Sequence, residues 1–228
     1  MKAAGPPPSR GTSAGTARAA TSATSASSAS ADRRRPREVR LIGGQWKRSK
    51  LPVADRPGLR PTPDRVRETV FNWLGQDLTG WRCLDAFAGS GALGYEAASR
   101  GASQVTLLEH DPAQVRSLLA TRQRLQAGAV DVRRADAMTW MRSAPHGSFE
   151  LAFIDPPFDA ALAAAAADAA AALLVDGGYL YVETPAPLAA PPRGCEAFRA
   201  GRAGTVHFGL WRRRYTPVVT GPQAAPRP

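Results

Sequence analysis

The chain has 228 residues, two cysteines and a net charge of +11, with 30 Lys and Arg against 19 Asp and Glu. That length allows one domain with a sizeable core plus appendages, while two cysteines as far apart as Cys83 and Cys195 exclude a disulfide framework and any metal-ligand spacing. The charge is uneven: residues 1–65 hold 14 Lys and Arg against 4 acids, and residues 66–228 hold 16 against 15. The excess is therefore an N-terminal arm, the distribution expected of a nucleic-acid-binding surface or of a solubilising tail.

Residues 1–32 are Ala, Ser, Thr, Gly and Pro with hardly a branched aliphatic side chain, too little apolar area to offset the entropy of ordering, so disorder is expected. Val39 to Ile42, Gly43-Gly44 and Gln45 to Val53 predict a small hairpin whose cations Arg40, Lys47, Arg48 and Lys50 face a nucleic acid. Trp46 among them either stacks on a base or covers the hairpin's own core. Thr62-Pro63 reads as N-cap and first helical residue of a helix to about Leu74. Val66, Val70, Trp73 and Leu74 share its packing face, and Arg65, Glu68 and Asn72 another.

From Trp81 onward, strands and helices alternate. A strand Trp81 to Phe87 runs into Ala88-Gly89-Ser90-Gly91-Ala92-Leu93-Gly94 and a helix to about Arg100; a strand Gln104 to Glu109 and a helix Asp111 to Gln126 follow. Then come a short strand Val130 to Arg133, a helix after Asp136-Ala137, the strand Phe149 to Ile154, an alanine-rich helix, Tyr179 to Glu183 after Asp176-Gly177-Gly178, and a late strand Thr205 to Tyr215. Such alternation predicts a mostly parallel sheet covered on both faces, with ligands bound past the carboxyl ends of its strands. Asp85, Glu109, Asp136 and Asp155 all end or follow predicted strands, so all four converge on one edge. The alanine stretch Ala160 to Val175 is short and broken by Asp168, hence a packed helix and not a membrane span. There is no apolar segment of a signal peptide near the start. His110, His146 and His207 are scattered, so no metal is expected, and the chain is expected to be a soluble, cytoplasmic monomer.

Asp155-Pro156-Pro157-Phe158 is the most specific local signal. Two prolines have no N–H to donate and hold the chain extended at the strand end. The Asp155 carboxylate and the Pro156 carbonyl can accept both hydrogens of a planar exocyclic amine, while Phe158 stacks on its ring. That is apparatus for methylating an amino group on a nucleobase. Gly89 to Gly94 also satisfies G-x-G-x-x-G, with Glu109 where a ribose-binding acid belongs, which leaves a nicotinamide or flavin reading formally open. Asp85, however, suits an ammonium group better than a pyrophosphate, and the clamp has no part in hydride transfer. A ligand with a ribose, an adenine and a cationic amino-acid end is S-adenosylmethionine. Its expected contacts are Asp85, Phe87, Ala88, Gly89, Ser90, Gly91, Glu109 and, at the adenine amine, Asp136 and Ala137.

Arg40-Leu41-Ile42-Gly43-Gly44-Gln45-Trp46-Lys47, Gly58 to Thr62, Asp64 to Thr69, Phe71 to Leu74, Asp85 to Gly94 and Asp155 to Phe158 together resemble the bacterial RsmD family. The glycine loop and clamp are common to many amino-methyltransferases, and Arg40 to Leu74 is the part specific to this family. The likeness runs from about Val39 to Glu183, with an echo in Val206 to Arg214; Thr121 stands where asparagine is expected, and the last third aligns poorly. The resemblance implies a seven-stranded, doubly wound α/β methyltransferase fold, with the late strand antiparallel and the segment before and within the first helix lying over the cofactor, where Arg60, Thr62 and Arg65 contact its carboxylate or the RNA, the alternative being caps and surface ion pairs. It also implies methylation of the N2 amine of one guanine in 16S ribosomal RNA, as naked RNA or in the 30S particle, with Asp155, Pro156, Pro157 and Phe158 at the reacting base. The rival readings are a DNA adenine-N6 methyltransferase and a non-catalytic RNA-binding or assembly protein that keeps the fold. The expected organisation is a tail 1–32, an RNA-binding hairpin and capping helix 33–75, a methyltransferase domain 76–216 and a loose tail 217–228.

Overall fold

The computed structural model describes residues 37–53, 62–157 and 160–215. The tail 1–32, the stretch from Pro217, Arg60 and Phe158 lie outside the described residues. The chain begins with a two-stranded antiparallel ribbon, β1 (Arg37–Arg40) and β2 (Lys50–Val53), in which Val39 opposes Leu51. The first arm of the predicted hairpin, Val39 to Ile42, is met in part, since the strand begins at Arg37 and ends at Arg40, and the second starts only at Lys50. Gln45 to Ser49 instead form a turn closed by Leu41 N–H to Ser49 O and Arg48 N–H to Leu41 O, with Arg48 at φ 71°.

Helix α1 (Asp64–Trp73) follows. Proline fixes φ near −65°, and Pro63, at φ −55° and ψ 146°, is itself the extended residue before the first helical turn. Thr62 is therefore not the cap, and its side chain is spent elsewhere. Val66, Val70 and Leu74 are buried as the spacing predicts, and Trp73 stacks on Phe208 with centroids 5.6 Å apart. Arg65, Glu68 and Asn72 lie on the exposed face.

The remaining elements are β3 (Arg82–Asp85), α2 (Ala92–Ser99), β4 (Gln104–Glu109), α3 (Pro112–Leu125), β5 (Val130–Arg134), α4 (Ala137–Ser143), β6 (Phe149–Ile154), α5 (Ala160–Leu173), β7 (Leu174–Thr184), β8 (Cys195–Ala203) and β9 (Val206–Arg213). Seven of these strands form one sheet in the order β5-β4-β3-β6-β7-β9-β8. Strands β3 to β7 are parallel, while β9 is antiparallel to both β7 and β8. Two expectations fail in detail. Asp176-Gly177-Gly178 does not precede the strand but lies inside β7, where the pairing with β6 shifts register between Phe149 and Leu151. The edge strand β8 has no counterpart among the predicted elements.

Apolar side chains fill both faces of the sheet. One cluster joins Val39, Leu41, Leu51 and Val53 of the ribbon and Val66, Val70 and Phe71 of α1 to Leu107, Phe153, Tyr181 and Phe208 of the sheet. The other packs α4 and α5 on Leu84, Ala152, Ile154 and Val182. Ala163, Ala166, Ala167, Ala170 and Ala171 are buried, and their small side chains let α5 lie close against β6 and β7. The ribbon thus contributes core side chains and carries its cations on the outer surface. No helix among the described residues is long and apolar enough to cross a membrane.

Candidate active site

The chain lays down β3, β4 and β5 outward in one direction and then returns to place β6 on the other side of β3. At such a reversal the loops after neighbouring strands part and leave a crevice at their carboxyl ends. The loop after β3 and Asp155 after β6 both open there. A cleft at this point is lined by Val53, Thr62, Asp85, Phe87, Ala88, Gly89, Ser90, Ala92, Leu93 and Asp155.

Each glycine of the loop has its own reason. Gly91 precedes α2 at φ 76°, and a Cβ there would come within 2.7 Å of both Leu118 and Tyr95. A Cβ on Gly94 would collide with Leu107, so this glycine lets α2 lie against β4. Gly89, at φ 51°, has nothing closer to its Cβ direction than the Phe87 carbonyl at 4.0 Å, which leaves bare backbone facing the cleft. Two carboxylates hold the loop: Asp85 Oδ2 accepts from Gly94 N–H at 3.0 Å, and Glu109 Oε2 from Gly89 N–H at 3.0 Å. Glu109 Oε1 also accepts from Asp111 N–H at 2.9 Å.

Burial pushes the Asp85 carboxyl up to about 7; the Glu109 charge adds to this, against the Gly94 and Phe87 amides, which favour the ionised form. Asp155, half-buried after β6, is pushed well above the usual carboxylate range, by burial first and then by the charges of Glu183 and Asp85. Pro156 is buried and Pro157 exposed. Thr62 Oγ1 lies 2.6 Å from Glu183 Oε1 and 3.4 Å from Asp155 Oδ2, and the Tyr181 hydroxyl donates to the same Glu183 oxygen at 2.9 Å.

The structure thus brings Asp85, Phe87, Ala88, Gly89, Ser90 and Asp155 to one cleft, with Gly91 and Glu109 holding its rim. Asp136 stands apart from these cleft-lining residues. It is exposed and caps α4, its Oδ1 accepting from Thr139 N–H at 2.7 Å, while Ala137 is buried in the first turn. Sequence reasoning left Val53, Glu183 and Tyr181 out of the site. Arg40, Lys47, Arg48 and Lys50 are exposed on the ribbon, with Lys50 paired to Glu38 at 2.7 Å. Trp46 is half-buried and packs against the core. Among the described residues no cluster of His, Cys, Asp and Glu could hold a metal.

The profile of the family described as "Conserved hypothetical protein 95" matches residues 39–212, including the late strands. Over 186 residues the chain is 42% identical to "Ribosomal RNA small subunit methyltransferase D" of Escherichia coli strain K12, covering 77% of this chain and 90% of that protein. The chain belongs to the RsmD family. Among solved structures, a putative methyltransferase from Escherichia coli matches with TM-score 0.70 and 40% identity, over 78% of this chain and 99% of that one. A putative methylase from Haemophilus influenzae matches with TM-score 0.67 and 33% identity, again over 78% and 99%. RsmD-family membership and the sheet order agree on one fold, the doubly wound, Rossmann-like sheet of class I methyltransferases.

Proposed function

We propose that the protein transfers a methyl group from S-adenosylmethionine to the N2 amine of a guanine in 16S ribosomal RNA. The observation that carries this reading is the place of Asp155-Pro156-Pro157: at the carboxyl end of β6, across the switch point from the glycine loop of β3, in a chain whose relatives are named for ribosomal RNA methylation. The site fits the cofactor: bare backbone at Gly89, apolar walls at Val53, Phe87 and Leu93, and carboxylates at Asp85 and Glu109 suit an adenosine carrying a cationic amino-acid end. When bound, S-adenosylmethionine supplies an already activated methyl group, so the protein's main task is alignment, worth about 7–11 kcal/mol in favourable systems.

Asp155 and the Pro156 carbonyl accept the two hydrogens of the amine. They favour its pyramidal, nucleophilic form and accommodate the charge that develops on nitrogen. Phe158 stacks on the base, which must be unpaired or flipped for its amine to reach the cleft. Residues 33–75 then serve as RNA-binding and capping segment and 76–216 as the methyltransferase domain, in the cytoplasm where ribosomal RNA is modified. Calorimetry tests the cofactor assignment: S-adenosylmethionine binds the wild type, Glu109→Ala weakens it by removing ribose acceptors, and NADH binds neither. Tight NADH binding by the wild type would restore the dinucleotide reading of the glycine loop.

Asp85 gives this binding a pH dependence. Below about 7 its buried carboxyl holds a proton, and a cationic ligand end favours the ionised form, so binding expels that proton. Affinity should climb by about one log unit per pH unit below that point and level off above it, and Asp85→Asn should lack this climb. Without ligand the sign reverses. A carboxyl with a raised folded pKa costs stability as pH rises from the ordinary carboxylate range through about 7, so Asp85→Asn should lose less stability over that window in denaturant titrations.

The RNA surface is tested by neutralising the exposed ribbon cations. Lys47→Gln with Arg48→Gln should weaken RNA binding and flatten its salt dependence by roughly 0.7 in slope for each phosphate no longer neutralised. Cofactor affinity should hold. An unchanged slope would move the RNA surface away from the ribbon.

A further inference from the structure

Glu183 sits next to the last residue of β7, and through the β6–β7 pairing that follows Ile154↔Val182 it reaches the strand end that carries Asp155. The two acids are joined by the Thr62 hydroxyl, at 2.6 Å from Glu183 and 3.4 Å from Asp155. A hydroxyl has one proton to give and two lone pairs with which to accept. The shorter distance assigns the proton of Thr62 to Glu183, and its lone pairs are then free to accept a proton from Asp155. Tyr181 donates to the same Glu183 oxygen, so two hydroxyls converge on one carboxylate. Thr62 is 5% exposed, Glu183 7% and Tyr181 0%, so this chain of groups is shut off from bulk water.

Two carboxyls bridged by one hydroxyl, Glu183 buried and Asp155 half-buried at the cleft, disfavour ionising together. Burial raises Glu183, while the Thr62 and Tyr181 donors pull it back down; Asp155, with the Thr62 proton turned to Glu183, is raised by burial first and then by the Glu183 charge. The pair therefore shares one proton, resting on Asp155, with the charge on Glu183.

We propose that Glu183, acting through Thr62, is the positioning residue for methyl transfer and the store for its protons. This rests on the amino-methyltransferase reading above. When the amine docks, the Asp155 proton passes to Thr62 Oγ1 as the Thr62 proton passes to Glu183 Oε1, which leaves Asp155 ionised against the amine. The nitrogen lone pair then bonds the methyl carbon and the carbon–sulfur bond breaks with its electron pair left on sulfur. One N–H proton goes to Asp155. The pair holds one proton before the transfer and two after it, and the extra proton leaves from Asp155 to water through the cleft once the product departs. The groups that face the pair are Asp85 from β3, with Glu109 of β4 behind it, Tyr181 from β7 itself, and β9, which places Phe208 opposite Glu183 and His207 opposite Thr184.

The test uses the full chain with Thr62→Val, Thr62→Ser and Glu183→Gln. Thr62→Val and Glu183→Gln should lower kcat roughly 10-fold or more with little change in KM for RNA, and Thr62→Ser, which keeps the hydroxyl, should recover most of the rate. An independent reading comes from infrared titration of the cofactor-free protein. The wild type should keep a protonated-carboxyl band well above the ordinary carboxylate range, and Glu183→Gln should move its loss to lower pH because Asp155 no longer faces a charge. Asp85 contributes to the same band and cancels in the difference between the two proteins. Wild-type kcat in both Thr62→Val and Glu183→Gln, or a band that titrates identically in wild type and Glu183→Gln, overturns the proposal. Failure of the wild type to methylate any RNA, with the band shift present, would instead remove the amino-methyltransferase reading.

Discussion

Asp155→Ala is expected to slow methyl transfer roughly 10- to 150-fold while leaving S-adenosylmethionine affinity nearly unchanged, since a hydrogen bond to a charged group is worth about 1.5–3 kcal/mol. The size follows from what the residue does in the cleft. Its carboxylate accepts from the amine only while that amine is being attacked, so the loss falls on the transition state and shows in kcat. The proposed cofactor contacts lie on the neighbouring loop, whose backbone is fixed by Asp85 and Glu109 through Gly94 and Gly89. Removing Asp155 takes away a carboxyl held well above its ordinary range by burial and by the Glu183 and Asp85 charges, so the fold should not suffer. Single-turnover rates at matched RNA and cofactor occupancy check this, and a wild-type rate would discard Asp155 as the amine acceptor.

Arg67→Ala is expected to be the most damaging single change to stability. The side chain is 0% exposed, and its guanidinium donates to the Thr62 carbonyl at 3.3 Å, the Arg40 carbonyl at 2.8 Å and Asp64 at 2.7 Å, with Glu96 at 3.5 Å. Four segments meet on one side chain: the ribbon, the turn before α1, α1 itself and α2. Breaking a buried ion pair from one side costs about 3–5 kcal/mol. Glu96 keeps its pairing with Arg100 at 2.8 Å and the Ile42 N–H at 2.8 Å, which places this case at the lower end. About 3 kcal/mol corresponds to a fall of roughly 6–12 °C in Tm for a chain of this size. Arg67→Lys keeps the charge without the planar fork and should recover only part of it. Because Arg67 also holds the Thr62 carbonyl, the variant should lose rate even at temperatures where it remains folded.

Much of this was legible in the residues. The runs Gln104 to Glu109 and Phe149 to Ile154 are apolar because parallel strands are buried on both faces, and both strands have the predicted bounds. Acids that end or follow the predicted strands marked the edge where ligands bind. Asp136 carries the same signature and also caps α4, its Oδ1 accepting from Thr139 N–H. Strand β8 was hidden because most of its residues are exposed at the sheet edge and Phe198 sits in a register shift, so Cys195 to Ala203 shows no alternation to read. Arg67, Thr62 and Glu183 could not be found from local pattern. A buried arginine looks like any surface arginine on a helix until Glu96, 29 positions away, is placed beside it. Thr62 before Pro63 is a normal capping pair in sequence, and only the fold sets it between acids 93 and 121 positions away.

The identity of the methylated nucleoside is the most direct test of the assigned reaction. Protein incubated with methyl-labelled S-adenosylmethionine and, separately, 16S ribosomal RNA, 30S particles and DNA should label one of the two RNA substrates and leave DNA unlabelled. Digestion of that RNA to nucleosides should then give N2-methylguanosine from a single position, formed roughly 10- to 150-fold more slowly with Asp155→Ala. Label recovered in adenine, in DNA, or in no nucleic acid at all would contradict the assignment.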